Sequence, residues 1–465
     1  MNIAIHIRKE SKTPVYLQLY EYFQDEIIKG KMPAGTKLPS IRYLANYLHI
    51  SKNTVIDAYQ QLWMEGYVES KEKSGYRVVS LSSFDYHSNK METNNVIVPK
   101  EEEHFIDFHY GKIDQPHFPS NAWKKALKEA IETEGNWMLY GDYKGESILR
   151  NELAGYLSRS RGISVSPENI LISAGTEQLI MHVLGLLNRT SLQIAMEEPG
   201  YDGVREVFRK EGHTVHPVPV LQEEGYQLSS LLSSNSNLVY VTPSHQFPLG
   251  NIMPINQRIE LLKWAEQADG YILEDDYDSE FRFLGSPIPS MKSIDRQDRV
   301  IYLGTFSKCF LPSVRISYMI LPTILMEKWN TRQFEETQSS SPLLQKAVAA
   351  FMKSGEFEKH IKRMRKVYER KYHLLMECIR RYMGNKVTII GESAGVHVLI
   401  SVEKVPIDKL IQKAEKVGVR IYSTEKYYKQ EAKCFPIILG FGGLNEEEIE
   451  VGIKRLSNCW FNEEG

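Results

Sequence analysis

Lys308 stands in the run Gly304-Thr305-Phe306-Ser307-Lys308-Cys309-Phe310-Leu311-Pro312-Ser313-Val314-Arg315, just after two hydroxyl side chains and shortly before an arginine. A lysine amine condenses with an aldehyde, while Thr305, Ser307 and Arg315 offer donors to a phosphate dianion. Backbone N–H groups at a helix start complete such a pocket, and Gly175-Thr176 follows an apolar run in the right way. A pyridine nitrogen needs a carboxylate to hold its proton. Asp275, in Glu274-Asp275-Asp276-Tyr277 at the end of another apolar run, offers one. Tyr277 is placed to bond a phenolic oxygen, and Tyr201 in Glu197-Glu198-Pro199-Gly200-Tyr201 supplies a ring for stacking. Together these residues meet the needs of pyridoxal phosphate, held on Lys308 as an internal aldimine. No metal site is expected, because Cys309, Cys378, Cys434 and Cys459 show no paired spacing.

Residues so far apart in the chain require a scaffold that gathers them. From Phe105 onward, helical stretches alternate with short apolar runs at 169–173, 238–242, 270–274 and 300–304. That alternation predicts an α/β domain with a mostly parallel sheet covered on both faces. The domain is expected over 105–465. Residues 81–104 are rich in Ser, Asn and Glu, lack periodicity and close on an acidic run, so they read as a linker.

Residues 1–80 carry a different pattern. Apolar positions at Leu17, Tyr20, Phe23, Ile27 and Ile28 predict a helix over 14–30. Ser40 and Ser51 are N-cap candidates for two short helices separated by a tight turn, the order of a helix-turn-helix. The second helix opens with Lys52, Asn53 and Thr54, donors suited to phosphates and base edges. Residues 66–79 then read as a hairpin, whose tip at 71–75 is placed to act as a wing. The segment holds 11 Lys and Arg against 8 Asp and Glu, whereas the whole chain is at −2. A mildly basic reader is therefore joined to a mildly acidic remainder. No stretch reaches the roughly 18 apolar residues of a membrane span, and charge appears too early for a signal peptide. A cytoplasmic setting is expected.

The phrases Ala34-Gly35-Thr36-Lys37-Leu38-Pro39-Ser40, Ser51-Lys52-Asn53-Thr54-Val55 and Leu62-Trp63-Met64-Glu65-Gly66-Tyr67-Val68 resemble the winged helix-turn-helix of GntR-type regulators. The resemblance implies that Arg42, Ser51, Lys52, Asn53, Thr54 and Tyr59 lie at the DNA, with Lys73 in the wing. From Phe105 to Trp460 the chain resembles a fold-type I aminotransferase, and Thr242-Pro243-Ser244-His245-Gln246-Phe247-Pro248-Leu249-Gly250 narrows the match. Both halves together are similar to the MocR/GabR subgroup of GntR regulators. Dimerisation through the large domain is implied, with Tyr140 reaching the phosphate of the neighbouring subunit. Two positions depart from the pattern. Gly443 and Gly203 stand where the GABA-responsive branch places arginines for a substrate carboxylate, and Arg205 and Arg420 are the nearest alternatives. Phe247 stands where aminotransferases place an asparagine on the phenolic oxygen. The reading that follows is a pyridoxal phosphate-dependent homodimeric regulator of transcription. It would bind a double-stranded operator and respond to a small amino effector or to the cofactor itself. The alternative is a working aminotransferase with a fused DNA-binding domain.

Overall fold

A computed structural model describes residues 5–461, apart from 6, 9–10, 12, 72–74, 81–104, 133–137, 188–190, 223, 284–288, 332–337, 392–394, 404 and 430–434. The chain forms two compact units, Met1–Glu101 and Glu102–Gly465. The expected linker, 81–104, and Lys73 lie outside the described residues.

In the reader, α1 (Val15–Ile28), α2 (Ile41–Leu48) and α3 (Lys52–Met64) precede the antiparallel hairpin of β1 (Val68–Lys71) and β2 (Gly75–Val78). Both serine caps form: Ser40 Oγ accepts from the Tyr43 N–H at 3.2 Å and Ser51 Oγ from the Thr54 N–H at 3.1 Å. Each satisfies a helix-start donor and contributes about 1 kcal/mol. His49 takes a left-handed backbone, φ 52°, which ends α2 and turns the chain into α3. Leu19, Phe23, Leu44, Val55 and Leu62 are buried where the three helices meet, and Val68 and Val78 seal that core from the hairpin.

The large unit opens with β3 (Ile106–Asp107) and then builds an eight-stranded sheet. Its strands are β4 (Ile170–Ser173), β5 (Gln193–Glu198), β6 (Thr214–Leu221), β7 (Gly225–Tyr226), β8 (Leu238–Val241), β9 (Tyr271–Asp276), β10 (Val300–Thr305) and β11 (Ser317–Ile320). The spatial order is β4-β11-β10-β9-β8-β5-β6-β7. Neighbours from β10 through β6 pair in parallel, while β11 runs antiparallel to β10 and β4, and β7 to β6. Alternate residues feed two cores: Leu238 and Tyr240 pack on one face of β8, Val239 and Val241 on the other. Burial on both faces explains why these strands appear in the sequence as unbroken apolar runs. A second, antiparallel sheet holds β12 (Thr388–Ile390), β13 (His397–Ser401), β15 (Tyr422–Ser423) and β16 (Ile437–Gly440), while β14 (Val419–Arg420) pairs with β3. Among the described residues, no helix is long and apolar enough to cross a membrane.

Candidate functional site

Strands β4, β5, β8, β9 and β10 all point the same way, so their carboxyl ends meet along one edge of the sheet. That edge is where open α/β sheets bind ligands. The cavity there is lined by Gly175 and Thr176 after β4, Tyr201 after β5, Thr242 and Phe247 after β8, and Asp275 and Tyr277 at the end of β9. Thr305, Ser307, Lys308, Arg315 and Ser317 come from β10 and the chain that returns into β11. Every cofactor residue expected from the sequence except Tyr140 therefore lines one cavity. Tyr140 is 79% exposed and is not among the residues lining it.

One end of the cavity is dense in donors. The Thr305 hydroxyl accepts from the Ser307 N–H at 3.1 Å and from the Ser317 hydroxyl at 3.0 Å. Arg315 donates to the Ala174 carbonyl at 3.2 Å, which lays its guanidinium against the start of the helix Thr176–Leu187. Gly175, at φ 132°, permits that approach, because a Cβ there would lie 2.7 Å from Arg315 Nη2. A helix N-terminus, a guanidinium and three hydroxyls make an anion cradle.

The middle of the cavity holds the titrating groups. Burial lowers the Lys308 amine to about 8, against a weak opposing pull from Asp278. A lysine so depressed is largely a neutral nucleophile in mildly alkaline solution. Its Nζ donates to the Tyr110 carbonyl at 3.0 Å and sits 4.3 Å above the Tyr110 ring. Burial likewise raises Asp275 to about 7, opposed by the Tyr240 hydroxyl, which donates to Oδ2 at 2.5 Å. The other oxygen, Asp275 Oδ1, is buried without a partner among the described residues. An orphaned carboxylate oxygen in a cavity calls for a cationic N–H.

Tyr201 donates to Glu177 at 2.8 Å and meets Phe247 edge-on at 5.9 Å. Tyr277 lines the cavity with its hydroxyl 3.0 Å from His245 Nδ1. Tyr110, Tyr240, Glu177 and His245 are not among the residues expected from sequence. Tyr240 reads there as an ordinary core position of a strand, and Tyr110 reaches Lys308 only through the fold.

The two glycines that stand where the resemblance expects arginines admit a side chain only if their neighbours shift. A Cβ on Gly203 would lie 2.8 Å from the Tyr201 ring, and one on Gly443 would lie 2.5 Å from Lys112 Cβ. Neither nearby arginine substitutes. Arg205 is buried against Glu198 at 3.1 Å and the Tyr427 carbonyl at 2.7 Å, while Arg420 stacks on Phe105 at 4.3 Å. Among the described residues lining the cavity, the only guanidinium is Arg315, at the anion end.

In the reader, Arg42, Ser51, Lys52 and Asn53 are exposed, and Thr54 is half-buried. Tyr59 is elsewhere. Its ring is fully buried between Phe23 and Tyr76, at 5.6 and 5.2 Å, and its hydroxyl donates to the Pro39 carbonyl at 3.1 Å. It follows Val55 by four positions, so it faces the core with Val55 rather than the outer surface.

The family model for aminotransferase class I and II matches residues 103–456, and that for bacterial regulatory proteins of the gntR family matches 15–78. The uncharacterized HTH-type transcriptional regulator YdeL of Bacillus subtilis is 41% identical, over 99% of this chain and 100% of its own length. The probable rhizopine catabolism regulatory protein MocR of Rhizobium meliloti is 31% identical, over 97% of this chain and 95% of its own. Among solved structures, kynurenine aminotransferase of Pyrococcus horikoshii in complex with PMP superposes with a TM-score of 0.69 at 28% identity, covering 77% of this chain and 91% of that one.

Proposed function

This chain belongs to the MocR-type helix-turn-helix transcriptional regulators, with a gntR-family reader and an aminotransferase class I and II domain, and we propose that Lys308 and its cavity are the sensor that sets DNA binding. One observation carries the reading: a lysine depressed to about 8, an orphaned carboxylate oxygen and an anion cradle share a single cavity. These residues fit pyridoxal phosphate. Asp275 Oδ1 would accept the ring N–H, Tyr201 would cover the ring, and Tyr277 would face the phenolic oxygen. Gly175, Thr176, Thr305, Ser307 and Arg315 would hold the phosphate. Bound there, the cofactor supplies an aldehyde able to exchange one amine for another.

The rest is done by this chain. When Lys308 is free, its ammonium rests on the Tyr110 carbonyl and over the Tyr110 ring. Tyr110 lies on the segment that follows residues 81–104, so the position of Lys308 is registered where the large unit begins. An effector shifts the regulator only if its affinity differs between the two resulting states. We assign the effector as a small amino compound recognised first through its amine, because neither Gly203 nor Gly443 supplies an arginine and Arg315, at the anion end, is the only guanidinium among the described residues lining the cavity. In the reader, Lys52 and Arg42 would contact phosphates, with Ser51, Asn53 and Thr54 close to the groove. A homodimer, with Tyr140 reaching across, would read two half-sites of a cytoplasmic DNA operator.

The depressed amine of Lys308 also suits a base, which favours a second reading as a working aminotransferase. Spectral titration of the loaded protein with amines and amino acids separates the two. Reversible band shifts without accumulation of the amine form of the cofactor support a sensor. Rapid conversion to that form with many donors supports turnover. Lys308→Ala should abolish the absorbance of the linked cofactor and leave the reader folded; survival of the band would sink the assignment of Lys308.

A further inference from the structure

Behind the cavity wall, Tyr277 is held by two buried residues with no part in the functions described so far. His245 Nδ1 lies 2.9 and 3.0 Å from the two carboxylate oxygens of Asp278, and 3.0 Å from the Tyr277 hydroxyl oxygen. His245 and Asp278 are only 4% and 2% exposed, so water does not compete for these bonds. A carboxylate has only lone pairs to offer, so the imidazole hydrogen must sit on Nδ1. A nitrogen already carrying its hydrogen cannot accept another from Tyr277. The tyrosine oxygen can at most share the N–H that Nδ1 gives to Asp278, and its own hydrogen is turned away from the histidine. On that other side lies the cavity.

We infer that His245 and Asp278 are positioning residues that make Tyr277 an obligate donor into the cavity, toward the phenolic oxygen of bound pyridoxal phosphate. They would take over part of the tuning lost where Phe247 stands in place of an asparagine. The inference rests on the cofactor reading given above.

The surroundings are built for this pair. Gly395, at φ 74°, packs so closely that a Cβ would collide with both the His245 ring and Asp278. The His397 ring lies tilted 5.4 Å from His245, and burial holds it neutral by lowering it to about 4, so it adds no second positive charge. Behind the pair, Arg161 and Arg282 share a small cavity with it, and Arg161 is paired with Asp276 at 2.6 Å. In front stands Lys308, whose amine feels the Asp278 charge.

The test is a pH titration of the absorbance of the full-length protein loaded with pyridoxal phosphate. Tyr277→Phe removes a donor to the ionised oxygen and should raise the chromophore pKa by about one unit. Asp278→Asn frees the imidazole to present Nδ1 as an acceptor, which draws the Tyr277 hydrogen out of the cavity. It should raise the pKa by at least half as much, and combining it with Tyr277→Phe should add nothing further. His245→Gln, whose carbonyl also attracts that hydrogen, gives an independent second variant with the same expected direction. Wild-type titration in both Asp278→Asn and His245→Gln, or full additivity with Tyr277→Phe, would overturn the inference. A wild-type protein that borohydride does not fix at Lys308 would instead remove the cofactor reading, and is recognised separately.

Discussion

In the reader, the candidate contacts Arg42, Ser51, Lys52 and Asn53 are exposed on two adjacent short helices, each side chain facing water. In the large unit, the candidates come from five strand ends between Gly175 and Arg315, and they act on one another inside a shared cavity. Exposed donors meet their partners in water, so each phosphate contact adds a separable, salt-screened increment. Buried groups do not behave so independently. Removing water raises Asp275 to about 7 and lowers Lys308 to about 8, so each becomes a partner waiting for a specific charge. The same chain thus carries an additive surface and a coupled cavity.

The strongest test of that contrast is Asp275→Asn. It keeps the shape but cannot hold the ring proton as a carboxylate does, and a charge-assisted hydrogen bond is worth roughly 1.5–3 kcal/mol. Cofactor affinity should fall by about 10- to 100-fold, measured by equilibrium dialysis, with DNA binding by the cofactor-free protein unchanged. Affinity at the wild-type level would mean that the orphaned oxygen has no ligand.

A pH series of cofactor-free protein probes the same coupling through stability. Asp275 rises from its ordinary 3.8 to about 7 in the fold, chiefly by burial, and Glu197 and Glu274 rise from 4.5 to about 7 for the same reason. Raised carboxyl pKa values mean that the folded state binds more protons than the unfolded state between these limits. The contribution of these three groups to stability is therefore full at acidic pH and falls as pH rises through about 4 to 7. Buried His360 and His397, each lowered to about 4, act in the opposite sense over the same window, so the readout is the difference: as pH rises the loaded protein should lose less melting temperature than the cofactor-free protein, because the ring N–H stabilises ionised Asp275. Equal slopes with and without cofactor would break the link between Asp275 and the ligand.

How far each region can be read from sequence follows from the same difference. The reader is legible because caps, turns and exposed basic residues are local: Ser40 and Ser51 read as caps and both bond as caps. The α/β sheet is legible because strands covered on both faces leave apolar runs. The lysine, aspartate and phosphate-binding residues are legible because each lies at the end of such a run. Tyr110 and Tyr240 are not, since nothing in their own neighbourhoods distinguishes them from packing residues. Asp278 and His245 lie in or beside the motifs around Tyr277 and Phe247, yet their pairing across 33 positions exists only in the fold.

On the surface side, Lys52→Ala should weaken DNA binding across sequences several-fold and reduce the slope of log affinity against log salt by about 1. Fluorescence anisotropy over a salt series measures both. A lowered affinity with an unchanged slope would move Lys52 from phosphate contact to base contact, and would make the reader less additive than the contrast requires.

Tyr59 gives the smallest effect and the sharpest distinction, because resemblance assigns it to the surface and the fold buries it. Tyr59→Phe keeps the ring against Phe23 and Tyr76 and deletes only the hydroxyl bond to the Pro39 carbonyl. The loss should be about 1 kcal/mol in reader stability by urea unfolding. The salt slope should not move, because no phosphate contact is removed. If Tyr59 touched DNA, the reverse would hold, with affinity falling and stability unaffected. The Pro39 carbonyl belongs to the approach to α2, so Tyr59 ties the recognition helix to its neighbour from inside. Its contribution to DNA binding is thus to hold Lys52 and Arg42 in a fixed relation, which a melting curve detects and a contact assay does not.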